Sequence, residues 1–250
     1  MRYLGFTLAA PLASFGSIAV GERRPSWDRP AKSAVLGLVA GACGLTRDDA
    51  EAHRALADDY LYAVRVEYLG ERASRPFTDY HTTQTAPSKP GRRFATRREE
   101  LLAEKVGTIL TRREYASDSC FTVLLWTMSS APGFTLDDIA GALRAPKFTP
   151  YLGRKSCPLT LPMAPCVVEA SDVFDAFRRR DADDSESIAR FRGARRAASQ
   201  PRYVAMDAAA GEPLRSGRLE KRRDALIHRG RWQFGLREEL RVEWPGGAHG

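Results

Sequence analysis

The sequence predicts an α+β chain: a ferredoxin-like or RRM-like core, a basic hairpin arm inserted into it, and a mostly β extension at the C-terminal end. Three observations carry this. Apolar residues alternate with the two-residue period of strands at the start, helical spacing follows, and a stretch from Ser74 to Ser119 poor in aliphatic residues interrupts the pattern.

The elements follow in order. Leu4, Phe6 and Leu8 alternate with Gly5 and Thr7, which predicts a strand over about 2–9 that Pro11 should end. A loop from Pro11 to Pro30 carries Gly16, Gly21, Arg23, Arg24, Trp27 and Arg29. A helix then starts near Ser33, which can cap it. Its small residues Ala34, Gly37, Ala40 and Gly41 suit close packing on a sheet, and Gly44 ends it. A short polar helix is expected at about 46–58, with Asp48, Asp49 and Glu51 in the first turn, where the helix dipole favours acids. Tyr60 to Leu69 alternates again as a strand.

Between Ser74 and Ser119 lie Pro76, Pro87, Pro90 and Gly91 together with Arg92, Arg93, Arg97, Arg98, Arg112 and Arg113. Such a segment buries little, so it should form an extended arm or a charged loop outside the core. The nearly unbroken apolar run Cys120–Met128 predicts a buried strand. Thr135 should then open a helix with Asp137 and Asp138 in its first turn, Ile139, Ala140 and Leu143 facing inward, and Pro146 ending it. Beyond it come a turn-rich run from Pro150 to Pro165, a short helix around Asp172–Arg180, and a charged tract from Arg178 to Asp184 that reads as solvated. One or two final strands cover Arg231–Phe234 and Leu236–Trp244.

The 250 residues include 39 bases, 33 of them arginine, against 31 acids, for a net charge of +8. Collagen-like, disulfide-scaffold and disordered classes are excluded by this composition. Arginine grips phosphate with a planar, two-pronged fork and stacks on bases, so the balance favours a phosphate-rich partner. Cys43, Cys120, Cys157 and Cys166 lack the close spacing of zinc or redox motifs, which suggests reduced thiols in a cytoplasmic protein. The apolar stretch Ser33–Leu45 is too short to cross a bilayer.

Three places could hold chemistry. Pro30-Ala31-Lys32-Ser33 sits where a P-loop would end, but Ser26 and Ala31 stand at the required glycines. What survives is a helix start whose free amides, with Arg29 and Lys32, could seat one phosphate; the alternative is that Lys32 and Ser33 only cap the helix. In Tyr151-Leu152-Gly153-Arg154-Lys155-Ser156-Cys157-Pro158, a glycine that lets phosphate approach the backbone precedes two cations; the alternative is a merely wet turn. His81, in Asp79-Tyr80-His81-Thr82, could act as a general base toward a ribose 2′-hydroxyl. No fixed lysine stands beside it, so a structural or RNA-stacking role is the better reading. His53 reads as a surface residue, and Asp48-Asp49, Asp58-Asp59 and the Asp181–Asp184 cluster read as solvated faces. No catalytic residue, metal site or cofactor is therefore expected.

Several of these pieces occur in a telling order: Ala10-Pro11-Leu12-Ala13-Ser14-Phe15-Gly16, Arg23 through Pro30-Ala31-Lys32-Ser33 with Gly37-Leu38, then Asp79-Tyr80-His81-Thr82. Arg113-Glu114-Tyr115 follows, ahead of Phe121-Thr122-Val123, and last comes the run from Thr149-Pro150 through Pro158-Leu159. Together they resemble the CasD subunits of Cascade, RAMP proteins of the RNA-guided antiviral surveillance complexes of type I-E CRISPR systems. The resemblance covers about residues 1–165 and leaves 166–250 as an extension. It implies an RRM-like RAMP domain with a thumb-like hairpin at about 76–116. It also implies a non-catalytic subunit that holds the 5′ handle of CRISPR RNA, caps a filament of backbone RAMP subunits, and touches the large subunit. Target DNA would be met only indirectly and no membrane is involved.

Related type I-C subunits cut RNA, so a metal-independent endoribonuclease that processes precursor CRISPR RNA is the alternative. On this reading Arg29, Lys32, Arg154 and Lys155 contact phosphates, joined by Arg23, Arg24, Arg112 and Arg113. Trp27, Tyr80, His81 and Tyr115 stack on or edge the bases, and Ser33, Tyr151 and Gly153 complete the set. These distant stretches should converge around a short unpaired RNA tail.

Overall fold

The computed structural model describes residues 1–68, 77–87, 90–91, 93–102, 105–183, 188–190, 203–210 and 217–244. In chain order the elements are β1 (Arg2–Ala13), β2 (Phe15–Gly16), β3 (Arg23–Arg24), β4 (Ser26–Trp27), α1 (Lys32–Cys43), α2 (Ala50–Asp59), β5 (Tyr60–Tyr68) and β6 (Phe77–Thr85). There follow α3 (Arg97–Leu101), β7 (Gly107–Thr127), α4 (Leu136–Arg144), β8 (Cys166–Glu169), α5 (Val173–Ala182), β9 (Tyr203–Asp207), β10 (Arg218–His228) and β11 (Gln233–Glu243).

One sheet organises the described residues. Its strands run in the order β10-β11-β9-β5-β7-β1-β8, with β3 and β6 attached to β7. Alternation decides the layers. Leu4, Phe6 and Leu8 of β1 share one face with Phe121 and Val123 of β7, and there they meet Val35 and Val39 of α1 and Ile139 of α4. Tyr3, Leu124 and Trp126 point to the opposite face, where Phe174 and Phe177 of α5 cover them. Full burial of each such side chain contributes roughly 1.5–3 kcal/mol, which is why the central strands are apolar on both faces. Residues beyond 165 add strands to both sides of this same sheet: β8 beside β1, and β9 beside β5. No helix among the described residues is long and apolar enough to cross a membrane.

Several local expectations are met. Thr135 caps α4 in a reciprocal capping box with Asp138, and the expected apolar face is buried. Gly44 closes α1 in the left-handed conformation. The stretch expected as a separate strand at Cys120–Met128 is the inner half of the 21-residue β7, whose outer half pairs with β6 as an arm.

Others are corrected. β1 does not stop at Pro11 but runs to Ala13, because β8 covers only Arg2–Gly5 and the missing proline donor falls where that neighbour is gone. Ser33 does not cap α1. The Lys32 amide donates instead to the Asp224 carboxylate at 2.9 Å, a residue far along the chain. Gly37 and Gly41 do not pack on the sheet, for a side chain there would meet nothing within 4 Å. His53 is buried, its Nε2 2.9 Å from the Thr46 carbonyl oxygen. The charged tract is only partly solvated. Arg180 lies buried against Gly5, and Asp181 receives two hydrogen bonds, at 2.6 and 2.9 Å, from the wholly buried Arg65. Asp184 lies outside the described residues, as do Pro76, Lys89 and Arg92 of the arm.

Candidate nucleic-acid interface

The arm is built by pairing rather than burial. β6 runs antiparallel to the outer half of β7 from Phe77 opposite Tyr115 to Thr85 opposite Gly107, and Tyr80, Ile109 and Leu102 remain exposed. At its base β3 lies parallel to β7, with Arg23 beside Arg112 and Arg24 beside Arg113. Strand alternation then separates two sets of side chains.

On one face, Arg112 stacks over the Tyr80 ring at 5.7 Å, and Arg23 Nε lies 2.6 Å from a Glu114 carboxylate oxygen. On the other face lie Arg24, Arg113 and Tyr115, and Tyr115 packs against Phe77 with ring centroids 6.1 Å apart. Here the Arg154 guanidinium sits 4.5 Å from the Tyr115 ring centre. Its Nη1 is closed off from solvent and has no hydrogen-bond partner among the described residues. His81 is held by the carboxylate of Asp79 on the same strand.

Arg154 is delivered by a tight turn. The Leu152 amide donates to the Cys157 carbonyl at 2.9 Å, the Cys157 amide to the Arg154 carbonyl at 2.9 Å, and the Ser14 amide to the Leu152 carbonyl at 3.1 Å. Gly153 has φ +83°, and a Cβ there would stand 1.8 Å from the Ser14 carbonyl oxygen, so only glycine fits. Tyr151 bridges to Pro158, and both it and Lys155 are exposed. Burial pushes the Cys157 thiol pKa up, which keeps it protonated and unreactive.

Three residues expected at the interface are placed elsewhere. Arg29 is 1 % exposed. Its Nε and Nη2 donate to Glu239 at 2.8 and 2.5 Å, its Nη2 to Glu220 at 2.6 Å, and its Nη1 to Asp28 at 3.0 Å. Burial by itself would lower its pKa, but Glu239, Tyr203 and Asp28 reverse that and hold it above the usual arginine value. Lys32 Nζ lies 3.1 Å from Asp207, and Arg237 joins Asp207, Asp224 and Glu239 at 2.7, 2.9 and 2.6 Å. Trp27 is covered by the Arg222 and Arg29 guanidiniums at 4.7 and 5.8 Å. The seat expected for a phosphate at the start of α1 is therefore filled by the chain's own carboxylates. Ser33, one residue on, lines a cleft beside this network.

The arrangement thus gathers Arg23, Arg24, Tyr80, His81, Arg112, Arg113, Tyr115, Tyr151, Gly153, Arg154 and Lys155 around the arm base, on two faces of one strand rather than in a single groove. It buries Arg29, ties up the half-buried Lys32 and Trp27 against the chain's own side chains, and places the Tyr115 ring in the core, where it offers no open face to a base as expected. Cations that escaped sequence reasoning, Arg47, Arg223 and Arg229, lie along the cleft with Trp232. The run Arg229-Gly230-Arg231-Trp232, basic and aromatic around a glycine, is the signal that would have found it.

Residues 3–238 match the profile of a family described as CRISPR-associated protein (Cas_Cas5). Over 175 residues the chain is 36 % identical to the CRISPR system Cascade subunit CasD of Escherichia coli strain K12, covering 68 % of this chain and 73 % of that protein. A chain of a solved CRISPR RNA-guided surveillance complex superposes with a TM-score of 0.58 at 21 % identity, over 98 % of this chain and 90 % of that one. A crystal structure of a Cas protein superposes with a TM-score of 0.54 at 21 % identity, over 97 % and 95 %.

Proposed function

The chain belongs to the CRISPR-associated Cas5 family, and from that premise we propose that it is a non-catalytic subunit of a Cascade-type complex that holds an unpaired segment of CRISPR RNA across the base of the β6–β7 arm. One observation carries the reading: Arg24, Arg113 and Arg154, from three distant parts of the sequence, share one face of β7 beside an exposed aromatic ring, Phe77, which packs on the buried Tyr115. Guanidiniums offset phosphate charge while flat rings accept unstacked bases, the combination that single-strand binding needs.

The arm is the thumb of this reading, and cations on both its faces suit a hairpin inserted between an RNA strand and a neighbouring backbone subunit. The segment held is the 5′ handle, as in the resemblance to CasD, with the large subunit as a further neighbour. The alternative, an endoribonuclease, has His81 and its Asp79 partner as its specific support, since a carboxylate orients an imidazole as a base. One experiment separates them. The full chain is incubated with single-stranded repeat RNA in EDTA and scored for binding and integrity. Intact RNA, with affinity reduced about tenfold by Arg154→Ala, is expected from the loss of one stacked, charge-bearing contact. Cleavage that His81→Ala abolishes would overturn the non-catalytic reading.

A further inference from the structure

Beside the arm base, α1, the turn at 148–153 and the β10–β11 hairpin enclose a cleft of about 530 Å³. A smaller hollow of about 140 Å³ adjoins it, sharing Ser33, Gly37, His53, Arg229 and Phe234 with its wall. The cleft's volume lies within the roughly 300–1,000 Å³ of small-ligand sites. We propose that the cleft takes a single unpaired nucleotide of the bound RNA, its base against the aromatic wall of Trp232, Phe234 and Tyr151 and its phosphate on Arg229 and Arg47. The proposal rests on the RNA-holding reading and adds a pocket to it.

Charge makes the first argument. Arg47, Arg223 and Arg229 line the cleft, and no Asp or Glu does so among the described residues. Arg229 and Arg47 both lie over the Trp232 ring, at 4.1 and 5.6 Å. Arg229 Nε is shut off from solvent with no hydrogen-bond partner among the described residues. Burial and the neighbouring Arg47 pull the Arg229 pKa below the usual arginine value, the mark of a cation short of an anion. Arg29 and Arg237 in the interior network are each closed in by carboxylates; the cleft wall offers Arg229 none among the described residues.

Shape makes the second. Trp232 holds φ +53° at the hairpin turn and is 54 % exposed, a strained backbone that displays a large aromatic ring to solvent. The Arg47 side chain donates to the Gly230 carbonyl at 2.8 Å and fixes the turn over the cleft. Opposite, Gly37 and Gly41 leave the α1 wall bare, since a side chain at either would meet nothing within 4 Å. That spacing has no packing explanation in the sheet, but it makes room for a flat ring. A carboxylate ligand would answer the charge and leave the aromatic wall uncovered, whereas a nucleotide answers both.

Continuity makes the third. Tyr151 and Gly153 line the cleft, while the next residue, Arg154, stacks on Tyr115 at the arm base. A strand lying across the arm base on this face passes the mouth of the cleft at the following nucleotide.

Binding of fluorescent single-stranded repeat RNA to the full chain tests this, with Trp232→Ala, Arg229→Gln and Arg154→Ala compared at equal salt. Because Trp232 is exposed, Trp232→Ala should melt like the wild type, and Trp232→Leu provides a second variant. Each cleft substitution should weaken binding about tenfold, as loss of one base stack does. RNA carrying 4-thiouridine should crosslink within residues 229–234. If the wild type binds no RNA, the RNA-holding reading falls and the pocket with it. If Arg154→Ala weakens binding while both cleft variants bind as wild type and no crosslink maps to 229–234, only the pocket is overturned.

Discussion

Arg29 and Arg154 carry the same guanidinium into opposite circumstances. Arg29 is wrapped by Glu239, Glu220 and Asp28, and removing it would leave Oε1 of Glu239, which is 0 % exposed, with only the more distant Arg222 at 3.7 Å. Breaking a buried ion pair from one side costs about 3–5 kcal/mol. Arg29→Ala should therefore lower unfolding free energy by roughly that much, read from urea denaturation of the purified chain. A loss below about 1 kcal/mol would show that the network does not hold the fold as described. Gly153 marks a close backbone approach, as a glycine in a proline-bounded turn signals, but the partner the sequence suggests for it is a phosphate. What the approach is made to, the Ser14 carbonyl, is not legible there, because that contact spans the chain.

At the scale of elements, the arm and the core behave as two kinds of structure. Among the described residues between Tyr80 and Arg112, which face each other across β6 and β7, the chain is held by pairing of the two strands and by bonds from Arg97 and Glu100 of α3, and apart from Ala86, Phe94 and Leu110 the apolar side chains are exposed. Replacing residues 81–111 by an Asn-Gly turn should leave a folded chain, since two-residue turns of this type match the twist of paired strands. Its thermal midpoint should move by only a few degrees, while assembly with backbone subunits is lost. An insoluble product would mean that the arm belongs to the core. The composition of this segment alone points to an arm, because proline, glycine and arginine without aliphatics cannot build a core. Among the strands that stay hidden in the sequence are β9 and β10. β9 has only five residues, and β10 is so rich in charge that its inward face, carrying Arg222 and Asp224, reads as solvent-exposed.

Taken whole, the molecule spends much of its arginine on itself. Arg29, Arg65, Arg222 and Arg237 are buried or nearly so against carboxylates, so the net charge of +8 says nothing of which arginines form the basic surface. If RNA runs over the Tyr115 face, its phosphates meet Arg24, Arg113, Arg154 and Lys155. Four such contacts with a single strand give a slope of about −3 for log affinity against log salt concentration. Titration at several salt concentrations checks this, and a slope near zero would remove phosphate contact as the basis of binding.

The amino-acid sequence by itself determined the periods, caps and turns of this protein: the β1 alternation, the Thr135 box, the Gly44 stop, the arm and the 151–158 turn. Each depends on residues within a few positions of one another, so local sterics and hydrogen bonding decide them. Only the tertiary structure decided which cations face solvent. Burying a guanidinium is tolerable only where carboxylates close around it, and those for Arg29 and Lys32 arrive from β9, β10 and β11, far along the chain.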